Sequence, residues 1–369
     1  MKNQESKRKM LYLAFALMMT IAMTSTATAK SWRINNNTSL KPHFTTINAA
    51  MSSDEVQDGD TLYLDPGCTL SSTQTVSKAV TVVGTGYFLS DYAQSESSIA
   101  GLNLNAENIK VEGCSITGTV VINSPNICME RCYVNGYINM NNQEKTVIKS
   151  CYVYCNSRTG NSISGGLNSI LENNLIFLYY SNVGSGATAY NATINNMSGC
   201  ILKNNYISRV ITASYASYIS YGRKAVIAAF FNCEVCNNII LNESYHTQYS
   251  SASFTELEYT FDSMTNCTIY HNLLSSSSNA LYPYNLFNKR SSSIFVSSGR
   301  NDKAYMLSAS SPAKGYATDG GDCGPYGGSN PYVASGLPFG HPYNVKMNIT
   351  LPDIDGILKV SSDTRIQNQ

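Results

Sequence analysis

Charge is what this chain has least of. Only 13% of its 369 residues are charged, against roughly a quarter in ordinary globular domains. The signs also balance, with 25 Lys and Arg facing 24 Asp and Glu. The basic excess of a nucleic-acid binder is therefore missing, and no nucleic-acid partner is expected. Disorder needs low hydrophobicity together with high net charge; a 43% hydrophobic share and a net charge of +1 exclude it. Tryptophan occurs once. Neutral polar residues fill the gap: 39 Asn and 48 Ser, beside 26 Tyr and 25 Gly. These are mediocre or poor helix formers, so a helix-rich fold is excluded as well.

Long apolar runs are also scarce. The one near the start, Met10 to Met23, follows Lys2, Lys7, Arg8 and Lys9 and precedes Ala27-Thr28-Ala29. A charged, then apolar, then small-x-small order is that of a cleaved secretory signal, which we assign to residues 1–29. The run is shorter than the roughly 20 residues a membrane span needs, and no transmembrane helix is expected elsewhere. Cleavage would leave 21 basic and 23 acidic residues. The expected location is outside the cytoplasm: periplasmic, cell-surface or extracellular. Eleven cysteines remain, an odd number, and in an oxidising compartment disulfides would be the default.

The chain repeats. Seven segments share one nine-residue frame, beginning at residues 108, 126, 145, 168, 199, 232 and 266. The fourth position is always apolar (Val111, Met129, Ile148, Leu171, Leu202, Val235, Ile269), and so is the ninth. The seventh is always Cys or Asn: Cys114, Cys132, Cys151, Asn174, Asn205, Asn238 and Asn272. Spacing at that position grows from 18 to 34 residues along the chain. One such unit cannot bury its apolar face alone, so it must stack on its copies. Parallel stacking at about 4.8 Å sets each position above its counterpart. An Asn in such a column can bond to the Asn above and below, an Asn ladder. Cysteines in columns read as small core-filling residues with free thiols. A zinc site at Cys233-x-x-Cys236 would draw on two different columns of one coil, which argues against it.

A propeller or a sandwich does not keep one frame while its period nearly doubles. A solenoid with insertions at one corner does. The fold class is therefore all-β, a parallel β-helix, right-handed by the crossover rule. Residues 30–328 are assigned to this domain and 329–369 to a C-terminal tail or cap, with short strands expected at 341–350 and 356–360.

The ends carry a resemblance. Phe44 to Met51, then Gly59-Asp60-Thr61-Leu62-Tyr63-Leu64-Asp65-Pro66-Gly67 and Val80 to Gly86, resemble the entrance of right-handed parallel β-helix proteins of the pectate-lyase-like superfamily. There a short N-terminal helix caps the core. Ser311-Pro312-Ala313 and Asp319 to Gly328 resemble the closing coil of secreted bacterial members. The resemblance covers roughly residues 40–330. It implies a fold rather than an activity, because this superfamily holds lyases, hydrolases, adhesins and inert scaffolds.

The parts its enzymes need are not evident in the sequence. Lyases there use an acidic calcium cluster with a nearby Arg or Lys; hydrolases use two or three close carboxylates. Between residues 108 and 240 the acids are mostly single residues within the frame, such as Glu112 and Glu130. The insertions at 181–198, 208–231 and 243–265 hold more. Tyr215, Tyr218, Tyr221, Tyr245 and Tyr249 are candidate glycan contacts, since tyrosine faces suit sugar rings, and a polysaccharide is the expected partner. Arg223, Lys224, Tyr221 and His246 are the weaker candidates for a metal-free lyase site. Asp319 and Asp322, beside flexible glycines, could hold calcium, but ordinary turn formation explains them better; no other cofactor is implied. The leading expectation is a secreted glycan-binding or surface protein without a catalytic cluster. Alternatives are a lyase or hydrolase acting on an acidic polysaccharide, and a structural or adhesive module.

Overall fold

The computed structural model describes residues 29–157, 160–183, 192–213, 225–246, 260–277, 281–296, 299–349 and 360–367. The chain winds into stacked coils with three parallel faces. Face one is a ten-stranded parallel sheet, from Ser31–Ile34 through Lys110–Glu112, Cys128–Glu130 and Val147–Lys149 to Thr268–Tyr270. Faces two and three are the halves of a second sheet, joined through Ser98–Leu104, which pairs with both Ser115–Ile116 and Val120–Ile122. Face two continues through Tyr133–Asn135, Leu175–Val183 and Ile239–His246; face three continues through Ile138–Glu144, Ile194–Ser198 and Phe261–Thr265. Consecutive members of a face are one full turn apart, which makes this a parallel β-helix. Its interior is one continuous apolar cluster from Trp32 to Leu274.

The frame explains the turns. Its first and sixth positions carry a positive φ in every one of the seven units, 45–64° at the first and 52–62° at the sixth. Asn is the non-glycine residue that best tolerates this region. It occupies the first position in Asn108, Asn126, Asn168, Asn232 and Asn266, and the sixth in Asn173, Asn204 and Asn237. The seventh position then points inward. Asn174 Nδ2 donates to Asn205 Oδ1 at 2.9 Å, Asn205 to Asn238 at 2.9 Å, and Asn238 to Asn272 at 2.9 Å. The column runs one step past the seventh unit, to Asn285. In the earlier coils Cys takes the same place, with Cys151 Sγ accepting from Cys132 N at 3.4 Å. All eleven cysteines are unbridged, and all but Cys128 and Cys267 are buried.

The insertions are shorter than the sequence spacing suggests. Their ends are strands: Ile194–Ser198, Ile227–Phe231 and Phe261–Thr265 belong to face three. At the N-terminal end, the helix Ile47–Met51 starts on Thr46, whose hydroxyl accepts from Ala49 N at 3.0 Å, and buries Ile47, Ala50 and Met51 over the first coils.

The C-terminal part differs from expectation. Residues 311–328 do not close a coil; they belong to a strap that runs back down the stack. Gly324 N donates to Asn237 O at 2.8 Å, Asn173 Nδ2 to Gly327 O at 2.7 Å, Arg131 Nη1 to Leu337 O at 2.8 Å, and Phe339 N to Glu112 Oε1 at 2.9 Å. The cause lies in the eighth frame position, which points outward from face two and is Tyr152, Leu175, Tyr206, Ile239 and Leu273 in successive coils. Ile294, Phe295, Ala313, Cys323 and Tyr332 cover this row as a second apolar cluster. Burying each large side chain contributes about 1.5–3 kcal/mol. Beyond the strap, Pro342–Ile349 and Val360–Ile366 pair antiparallel, so the second strand begins where the expected one was to end.

Asp302 anchors the strap. It is buried, and its Oδ2 accepts from Ser335 N at 2.6 Å and Tyr332 Oη at 3.1 Å, while Tyr332 also meets Tyr87 Oη. Burial raises its pKa above the ordinary carboxylate value, against the opposing pull of those donors. A folded-state pKa above the unfolded one means the folded chain binds the proton more tightly. Its contribution to stability is complete below the ordinary carboxylate range and is lost as pH rises through the raised value. Urea midpoints measured from acid to neutral pH should show this slope, and Asp302→Asn should flatten it. An unchanged slope in the variant would assign it to other groups.

Candidate functional site

The strap and face one enclose a cleft of about 790 Å³. Its floor is made of outward residues at the third and fifth frame positions, Lys110, Glu112, Glu130 and Lys149, with Arg131 at the corner. Val333, Phe339 and His341 form the opposite wall. Tyr63 enters from a lower coil, its ring 5.4 Å from that of His341.

Parallel register makes this cluster. Lys110 sits beside Cys128, and Glu112 directly beside Glu130, which in turn sits beside Lys149. Lys110 Nζ lies 2.7 Å from Glu112 Oε2 and 3.4 Å from Glu130 Oε2; Lys149 Nζ lies 3.2 Å from Glu130 Oε1. Two nearly buried carboxylates thus stack one coil apart, each held by lysine. Burial lowers the pKa of Lys110, but the hydrogen bond and charge of Glu112, with those of Glu130, outweigh it and the net shift is upward. Arg131 is buried beneath the ring of Phe339. Burial pushes its pKa down to about 10, against the pull of Glu130 and Glu112. Among the described residues its Nε has no hydrogen-bond partner, and it lies 3.9 Å from Glu130 Oε1. Three cations against two carboxylates leave the cleft with one excess positive charge, beside aromatic edges.

None of the sequence-based candidates is among the described residues that line the cleft. Tyr215, Tyr218, Tyr221, Arg223, Lys224 and Tyr249 fall outside the described residues. Tyr245 and His246 end the strand Ile239–His246, where their backbones pair with Thr212 and Ala213. Asp319 Oδ1 accepts from Gly321 N at 2.9 Å, and Asp322 Oδ1 from Gly315 N at 3.0 Å; both act as turn acceptors. Among the described residues no group of three or more His, Cys, Asp or Glu side chains is placed to hold a metal ion, and no helix is long and apolar enough to cross a membrane. Sequence reasoning missed Lys110, Arg131 and Lys149. A signal existed: once the repeat is aligned, charges recur at outward positions of units 18 and 19 residues apart.

No protein-family model matches this chain, and no curated protein matches its sequence. Among solved structures it is similar to pectate lyase Pel9A, at 12% identity over 82% of this chain and 97% of that one, with a TM-score of 0.43. Neither figure supports a transfer of chemistry.

Proposed function

We propose that this is an exported protein that binds an acidic polysaccharide in the cleft between face one and the strap. The carrying observation is the pair Lys110 and Lys149, partly exposed and ion-paired with Glu112 and Glu130 in the cleft of about 790 Å³, with the charge of buried Arg131 behind them. Lysine and arginine suit carboxylated or sulfated sugars. The two glutamates hold these cations in place and can accept sugar hydroxyls. The signal-like residues 1–29 support export.

A glycan array with uronate-containing, sulfated and neutral oligosaccharides tests this. The parent should bind anionic members, more weakly at high salt, and Lys110→Ala/Lys149→Ala should lose at least about tenfold in affinity, roughly 1.4 kcal/mol. Equal binding by parent and variant would remove the cleft from consideration. Tyr215→Ala/Tyr218→Ala/Tyr221→Ala on the same array tests the insertion tyrosines as an outer contact.

A lyase or hydrolase acting on the same class of polymer is the second reading, favoured by the in-register pair Glu112 and Glu130. Retaining glycosidases place their carboxyl groups about 5 Å apart, close to the step between neighbouring parallel strands. Release of unsaturated or reducing sugar ends by the parent, abolished in Glu130→Gln, would establish it.

A further inference from the structure

Outward positions of a strand with one face in water are ordinarily polar. Face one departs from this beside the cleft. Its third frame position presents Cys128, Val147, Ile170 and Ile201, in register on four successive strands and each only partly buried. None of the four belongs to either buried apolar cluster. The neighbouring outward column, at the fifth position, reads Glu130, Lys149, Glu172, Lys203. Within the chain these pair as Lys149 with Glu130 at 3.2 Å and Lys203 with Glu172 at 2.9 Å. Alternating charge accounts for in-chain pairing. It does not account for the apolar column beside it.

We propose that a second copy of this chain covers this face, packing face one against face one with the two stacks antiparallel. A two-fold axis parallel to the strands, midway between the coils of Val147–Lys149 and Ile170–Glu172, sets each column against its own copy. Val147 then faces Ile170 of the other copy, and Cys128 faces Ile201. The same operation sets Lys149 opposite Glu172 on both sides of the axis. Facing sheets pack about 10 Å apart, within reach of Lys and Glu from both sides. An isologous contact of this kind closes on itself and leaves no free copy of the patch. Alternation of sign also argues against a membrane surface, which selects basic residues alone.

Sedimentation of the full chain over a concentration series tests this. The parent should form a dimer. Glu172→Lys/Lys203→Glu keeps the ion pair between positions 172 and 203 but sets a lysine against Lys149 across the axis. It should weaken the dimer at least tenfold, and its thermal midpoint should fall as well, because position 172 is also in register with Lys149 of the same chain. Ile170→Asp leaves the charge column intact and should weaken the dimer at least tenfold with the thermal midpoint unmoved. A parent that stays monomeric throughout overturns the proposal, as does a dimer indifferent to both changes. Loss of glycan or vesicle binding in Ile170→Asp by a monomeric parent would assign the face to that ligand instead.

Discussion

Asn205→Ala should cost about 3 kcal/mol or more and lower the urea midpoint accordingly. Asn205 is fully buried; its Oδ1 accepts from Asn174 N at 3.0 Å and Asn174 Nδ2 at 2.9 Å, and its Nδ2 donates to Leu171 O at 2.8 Å, Lys203 O at 2.9 Å and Asn238 Oδ1 at 2.9 Å. Alanine leaves several of these groups buried without a partner, at about 1–3 kcal/mol each before relaxation. Asn205→Asp makes the sharper comparison. It keeps the shape and the acceptor but turns the donor into an oxygen facing three other oxygens. It should be at least as destabilising as alanine near neutral pH, and should recover part of the loss in acid, where a protonated carboxyl donates again. An Asn205→Ala variant as stable as the parent would show that the amide column contributes little.

Gly336→Ala should release the strap. Gly336 has φ +55°, and a Cβ there would lie 2.1 Å from Tyr87 Cε1 and 2.6 Å from the carbonyl oxygen of Arg131. Neither the buried ring of Tyr87 nor the backbone of Arg131 can withdraw without unpacking the second apolar cluster. A strained φ and an overpacked contact each cost about 1–3 kcal/mol. The lowest-cost response is detachment of residues 329–340, so limited proteolysis should cut there many times faster than in the parent. The same change should abolish ligand capture in the cleft, because the strap supplies its second wall. A variant with parental proteolysis and parental binding would remove the strap from both roles.

The coil itself was legible because its information is local and repeated. Val111, Met129 and Ile148 recur at one frame position and fill one interior. The reversals are legible in the same frame. Asn and Gly at the first position and Gly113, Asn173, Asn204 and Asn237 at the sixth are a left-handed-turn signature, which accounts for much of the asparagine beyond the seventh position. The row Tyr152, Leu175, Tyr206, Ile239, Leu273 should likewise have announced a covering layer, since an outward row that apolar is not left to water.

By itself, the sequence determined a low-charge stack of coils, and with it which side chains point in. Only tertiary structure decided which outward residues meet something. Arg131 and Leu337 are 206 residues apart, and Tyr87 and Tyr332 are 245 apart. No periodicity links such pairs, because the strap obeys no frame; its path follows from the apolar row it covers. The paired charges follow from the register of the coils, but the cleft around them exists only once the chain has returned along its own coils.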